Sequence, residues 1–368
     1  MRRHLALLAT ALAVVLALPG PGRGAPEDEA KGKDPYKARL VGVPFIYYSP
    51  ETKLAFGGGG VFNFRAGRRK EESRTSSVWG YASYNLARQF SVLVKPEIFL
   101  KANSVFIHAN IRYERAPQLF YGVGNDMPTA DGESFTPKTL TVQLGLKRRI
   151  VGSLFAGLQY DFENLVMEKV EPGGILDTAG ITGSHGGMFS GFGLSLDWDT
   201  RDAVLFPRRG VFAELTADAY GSMAGSDATY TSLKVDLRQY VPAGTDRVLA
   251  LQVFVHATGG DVPFQRLALL GGESLVRGYY KGRFRDKGLL AVQAEYRQLV
   301  TARIGIAAFA ALADVFPGFG DFRVERLKYS VGGGLRYVVN RRDGTAVRLD
   351  LAWGQACFGL YLTAKEAF

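Results

Sequence analysis

Cysteine is almost absent from this 368-residue chain: Cys357 stands alone, which excludes a disulfide framework. Histidine is nearly as scarce. Past the N-terminal segment it occurs only at His108, His185 and His256, with no paired spacing of the kind a metal needs, so no metal site is expected. Catalytic signatures are also missing. No Gly-x-Ser-x-Gly elbow occurs, and "GSHGG" (183–187) sets Ser184 beside His185 in what reads as a flexible loop rather than a hydrolase site. "FGGGGVF" (56–62) lacks the Lys-Ser/Thr of a phosphate loop; four glycines in a strand let a sheet bend or packed side chains approach. The sequence therefore predicts a protein that is not an enzyme and carries no cofactor. Long apolar runs are lacking too: beyond residue 25 no helical period is sustained and nothing is long enough to cross a membrane as a helix.

What the chain does contain is 45 glycines, 12% aromatic residues and 47% hydrophobic residues, a balance suited to many strands. At the N-terminus, Arg2 and Arg3 precede an apolar stretch from Leu5 to Leu18, followed by "PGPGRGA". This is the layout of a cleaved secretory signal, too short for a membrane-spanning helix. Residues 1–24 are read as that signal, 25–37 as a short charged periplasmic tail, and 38–368 as a single domain. Removing three arginines with the signal lowers the formal charge from +10 to +7. "RAGRRKEESR" (65–74) mixes signs between strands, which fits a solvated turn and gives no reason to expect nucleic acid.

Alternation with period two dominates the rest. In "VFIHANIRYE" (105–114), Val105, Ile107, Ala109, Ile111 and Tyr113 face one way, and Phe106, His108, Asn110, Arg112 and Glu114 the other. The same division recurs in "SLKVDLRQY", in "FSVLVKPEIFLK", and in "VRLDLAW", where Val347, Leu349, Leu351 and Trp353 oppose Arg348 and Asp350. About sixteen such strands can be counted, many near the 9–11 residues of a tilted membrane-crossing strand. They begin near 38, 53, 75, 90, 104, 138, 153, 187, 210, 228, 247, 288, 303, 328, 346 and 357.

With an even count and a periplasmic start, the long connections (116–137, 169–186, 261–287 and 316–327) all fall on the outer side, and most inner turns are short. Backbone groups in lipid must all be paired, which a closed barrel achieves. The expected fold is thus all-β: a single transmembrane antiparallel β-barrel of about 16 strands in the cell outer membrane of a Gram-negative envelope, reached after secretion to the periplasm. Tyr113, Trp198, Tyr296 and Trp353 suit interfacial girdles or ordinary strand packing.

One connection is unusual. "GGESLVRGYYKGRFRDKGLLAVQAEYRQLV" resembles the signature of the BamA/TamA-type barrels, the bacterial surface antigen family, whose Val-Arg-Gly-Phe/Tyr loop enters the lumen. The resemblance extends to "DWDTRDAVLFPRRGVFAEL" (197–215), similar to the family's turn with Asp199, Arg201, Asp202, Pro207 and Gly210, and to "YSVGGGLRYVV" and "AVRLDLAWG". It covers roughly residues 185–368. It implies that the loop after the eleventh strand, with Val276, Arg277, Gly278 and Tyr279, folds into the lumen and that Arg277 meets acidic groups on the two strands that follow. Glu295 is the first acid, since alternation turns Ala291, Gln293, Glu295 and Arg297 inward. A buried guanidinium needs such a partner.

For the second acid the chain departs from the family: "FAALADVF" puts Ala311 where an aspartate is expected, with Asp314 on the opposite parity. Either Glu295 holds the clamp alone, which is the preferred reading, or a bulge recruits Asp314. The final strand, "CFGLYLTAKEAF", ends in Phe368 like the aromatic insertion signal of such barrels, with Phe358, Leu360, Leu362 and Phe368 on the outward parity and Glu366 interrupting it near the inner rim. That signal implies host insertion machinery for the protein's own assembly.

Three functions follow. The first is a member of this family lacking periplasmic repeat domains, which assists insertion or translocation of outer-membrane proteins or lipids through a seam between its first and last strands (38–48 and 357–368). Its partners would be outer-membrane lipid, unfolded outer-membrane proteins and a separate periplasmic partner, because "PEDEAKGKDPYKA" is too short to fold alone. The second is a passive channel plugged by the Arg277 loop. The third, an outer-membrane enzyme or adhesin, has loops but no constellation of residues behind it.

Overall fold

The computed structural model describes residues 38–49, 53–66, 74–86, 88–126, 132–204, 206–340, 345–355, 357–363 and 366–368. The signal and tail expected over 1–37 lie outside the described residues, as does most of the solvated turn expected at 65–74.

Sixteen long strands form where the alternation lies. The first eight are β1 (Arg39–Ser49), β2 (Lys53–Phe64), β3 (Ser76–Asn85), β4 (Phe90–Leu100), β5 (Val105–Arg115), β6 (Glu133–Val151), β7 (Leu154–Val170) and β8 (Gly186–Asp199). The second eight are β9 (Gly210–Tyr220), β10 (Tyr230–Pro242), β11 (Arg247–Gly260), β12 (Gly288–Leu299), β13 (Ile304–Phe316), β14 (Lys328–Asn340), β15 (Thr345–Gly354) and β16 (Cys357–Thr363). Each pairs antiparallel with the next, from β1 on β2 through to β15 on β16. The result is a 16-stranded antiparallel β-barrel.

Alternation sorts the two faces. On β8 the outward Phe192, Leu194, Leu196 and Trp198 are all exposed, while Ser195 and Asp197 between them are buried. An apolar band of that extent would be a liability in water and is at home against lipid. The connections sort as well. Short turns (101–104, 152–153, 243–246 and 300–303) gather at one end, and the long segments after β5, β7, β11 and β13 gather at the other.

β6 starts five residues before the expected position of 138. Pro137, which lacks a ladder donor, is carried at a register shift between Thr136 and Pro137, so the strand survives a residue that ordinarily ends one. Its first residues also pair with a short strand at Gln118–Phe120. At the long-loop end, Phe120, Phe135, Phe189, Tyr220, Tyr230 and Phe264 form a buried apolar cap. A second cluster, including Leu270, Val276, Tyr279, Phe284, Leu289 and Val315, lies inside the barrel wall. The lumen beneath the long loops is thus packed with side chains.

Candidate functional site: a loop held across the lumen

The segment 261–287, between β11 and β12, supplies the lumen packing. It contains a small two-stranded sheet, Ala268–Leu270 on Phe284–Asp286, which holds the base of the loop while the tip, 273–279, reaches the wall. Arg277 sits at that tip, 1% exposed, with Glu295 and Asp350 both at 0%. Its Nη2 donates to Glu295 Oε2 at 2.5 Å and its Nη1 to Asp350 Oδ2 at 2.5 Å. The guanidinium also lies over the Phe309 ring, 3.4 Å from the centroid. A desolvated cation on an aromatic face adds attraction, and the two-acid fork fixes its direction.

The second acid therefore comes from β15. Register explains this: Gly334 faces Asp350 across the β14–β15 ladder, and a Cβ at Gly334 would collide with the Asp350 carboxylate. A Cβ at Gly332 would likewise stand 2.3 Å from the Phe309 ring. The glycines of "SVGGGL" leave room for the clamp. Ala311, opposite Gln293 and Ser330, has no polar group to offer, and the Ser330 hydroxyl donates to the Arg277 carbonyl instead. Asp314 does not join, and β13 carries no register shift that would turn it inward. It accepts from Asn125 and, at 3.3 Å, from the Arg323 backbone N–H, pinning two outer loops. The expectation that Glu295 is the only acid on Arg277, and the alternative that Asp314 assists it, are both corrected by Asp350.

Around this pair is a continuous network of four guanidinium groups and three carboxylates. Arg336 bonds Asp350 Oδ1 at 2.5 Å, Glu295 Oε1 at 3.2 Å and Glu366 at 3.0 Å; Arg297 bonds Glu295 Oε1 at 2.6 Å; Arg348 lies 3.2 Å from Asp350 Oδ2. Each acid has at least two cationic partners, the condition under which buried charge is tolerated.

The neighbours of Arg277 are held by backbone contacts. Val276 adopts φ +48°, rare for a β-branched residue, and its N–H donates to Gln293 Oε1 at 3.2 Å. Gly278 has φ +109°, and a Cβ there would stand 3.0 Å from the Gly354 nitrogen; its N–H donates to the Tyr361 hydroxyl at 2.9 Å. The Tyr279 hydroxyl donates to the Tyr329 carbonyl at 2.9 Å and accepts from the Gln355 N–H at 2.8 Å. A backbone strained at Val276 persists only where the surroundings over-determine it, as here.

Sequence reasoning missed the loop's second attachment. Arg266, at the base of the segment, donates to Asp161 Oδ2 at 3.0 Å and lies 3.1 Å from Glu163 Oε2, both on β7. Burial opposes its ionisation, but Glu163 and Asp161 outweigh that and raise its pKa. Because β7 and β15 are eight strands apart in a ring of sixteen, the loop bridges opposite walls. The signal available in the sequence was the inward parity of Asp161 and Glu163, two neighbouring acids whose strand carries a single cation, Lys169, near its outer end. Arg285, also in the segment, lies over Phe120 (5.0 Å) and Phe264 (5.6 Å), and burial pushes its pKa down to about 10.

The turn between β8 and β9 lies at the short-turn end, away from the loop, and Arg208 ties it to the next short turn by donating to the Thr245 carbonyl. Asp199 accepts from Arg201 Nε (2.9 Å) and Nη2 (3.0 Å), and Asp202 Oδ1 accepts from the Arg208 N–H at 2.9 Å. Pro207 is buried, and Gly210 takes φ +107° against the Thr200 carbonyl. Phe368 departs from expectation. Phe358 and Leu360 point outward, but Phe368 and Glu366 are buried and turned into the lumen, because β16 ends at Thr363 and Glu366 binds Arg336. The outward parity therefore does not extend to 368.

No curated protein matches the chain by sequence. Among solved structures it is similar to BamA from Haemophilus ducreyi lacking POTRA domains 1–3, with 15% identity over 90% of this chain and 69% of that one and a TM-score of 0.59. It is also similar to CdiB from Acinetobacter baumannii (12% identity, 87% of this chain, 56% of that chain, TM-score 0.54). CdiB from Escherichia coli gives 12% identity, 89% of this chain, 60% of that chain and a TM-score of 0.54. The chain thus spans less than two thirds of either CdiB, and these likenesses concern the fold. The Omp85 superfamily domain matches residues 56–353. The chain belongs to the Omp85 superfamily of outer-membrane β-barrels.

Proposed function

We propose that this barrel assists insertion or translocation of outer-membrane proteins or lipids, without catalysing a covalent reaction, through a lateral seam between β1 and β16. The carrying observation is the loop that spans the lumen between β7 and β15, which obstructs an axial path under the long loops and leaves the wall as the route. A strand edge exposed at such a seam presents unpaired backbone groups on which a client strand can be templated. Client delivery is assigned to a separate periplasmic partner. Depleting the protein in its host and quantifying the outer-membrane proteome and lipid asymmetry tests this reading. Selective loss of other barrels or of lipid asymmetry is expected, and an unchanged envelope contradicts it.

The loop's buried apolar packing favours a second reading, a passive channel plugged by the Arg277 loop. Deleting residues 262–286 then raises conductance sharply. Unchanged conductance removes this reading.

A further inference from the structure

The last described residues, Glu366–Phe368, occupy a built pocket on the lumen wall near the short-turn end. Phe368 packs with Tyr240, Val248 and Ala250, all buried, from the adjoining ends of β10 and β11. Arg297 lies over the Phe368 ring at 5.7 Å and donates from Nη2 to the Phe368 oxygen at 2.9 Å. Glu366, two residues earlier, accepts from Arg336 Nε at 3.0 Å and lies 3.6 Å from Arg297 Nε. An apolar floor, a ring-stacking guanidinium and a carboxylate-binding guanidinium together make a site for a short segment with an acid two residues before an aromatic side chain.

The two arginines that hold this segment also hold the clamp. Arg336 bonds Glu366, Asp350 and Glu295, and Arg297 bonds Glu295; Arg277 uses the same Glu295 and Asp350. A second path runs through β16 itself: Tyr361 bonds the Gly278 N–H, and Thr363 Oγ1 accepts from Arg348 Nε at 2.8 Å. We propose that the lumen pocket of Tyr240, Val248, Ala250, Arg297 and Arg336 is a docking site for Glu366–Phe368, and that its occupancy is energetically linked to the docking of the Arg277 loop. Losing Glu366 leaves Arg336 and Arg297 with fewer acids, so they compete with Arg277 for Glu295 and Asp350. The end of the last strand and the lumen loop then loosen together. This linkage is independent of what the barrel transports.

Hydrogen exchange of the full-length protein in lipid nanodiscs, read by mass spectrometry on fragments covering 273–286 and 357–368, tests it. Glu366→Gln is expected to raise exchange in both fragments, the distant loop by about tenfold, within the range usual for coupled sites. Because linkage is reciprocal, Arg277→Ala raises exchange in 357–368 by a comparable factor. Phe368→Ala, which leaves every charge in place, provides the same reading if Glu366→Gln does not fold. Loosening of 357–368 with the loop unchanged overturns the linkage. Wild-type exchange over 366–368 as fast as in a free peptide of that sequence overturns the docking site itself.

Discussion

Removing the two halves of the Arg277–Glu295 pair has unequal consequences. Arg277→Ala deletes one of four guanidinium groups and leaves three facing three carboxylates, with Glu295 still bound by Arg297 and Arg336 and Asp350 by Arg336 and Arg348. The wall remains paired, and the loop bears the loss. Two charge-assisted hydrogen bonds are worth about 3–6 kcal/mol together, and release of the strained Val276 backbone returns about 1–3, so loop docking weakens by about 2.5 kcal/mol at mid-range. That corresponds to a roughly 70-fold rise in opening of residues 273–279. Glu295→Ala is worse for the barrel as a whole. It leaves four guanidinium groups with two carboxylates and strips partners from Arg277, Arg297 and Arg336 at once, so global stability falls by about 3–5 kcal/mol. A double-mutant cycle on unfolding in detergent should show coupling well above 0.5 kcal/mol, the level at which contacting residues depart from additivity. Additive effects, or an Arg277→Ala variant less stable overall than Glu295→Ala, would refute the reasoning.

Asp350→Ala should loosen the loop as Arg277→Ala does, while Asp314→Ala leaves residues 273–279 unchanged and loosens the Asn125 and Arg323 loops; hydrogen exchange separates the two. Gly334→Ala places a methyl against the Asp350 carboxylate. It should lower the unfolding midpoint by more than Gly320→Ala, at an open position with nothing within 4 Å. Arg266→Ala leaves Asp161 and Glu163 buried without that cation, so unfolding should show a cost of about 3–5 kcal/mol, smaller if the residue 234 lysine moves in.

The barrel was legible because a two-residue period needs no knowledge of distant contacts. Even Glu295 could be placed inward from the parity of β12 alone. Asp350 was equally visible as an inward acid in "VRLDLAW", but its pairing with Arg277 depends on two non-local facts: the loop tip reaches across to β15, and Gly334 leaves space beside Asp350. It stands on the fourth strand after the loop, beyond the two on which the acids were expected. Phe368 failed for a different reason, since parity holds only while the strand continues, and β16 stops at Thr363. The Arg266 anchor lies in irregular backbone, where no period indicates direction, and only the two inward acids of β7 pointed to it. Pro137 shows the converse: a strong local breaker was overruled by the β6–β7 ladder, which absorbed it in a register shift.

The central structural claim is that a loop anchored on opposite walls fills the lumen. Single-channel conductance in planar bilayers, comparing the wild type with the Arg266→Ala/Arg277→Ala double variant, tests it most directly. The account predicts a small, mostly closed wild-type conductance and frequent large openings once both anchors are gone. A wild-type barrel that already conducts at the level of the double variant would contradict it.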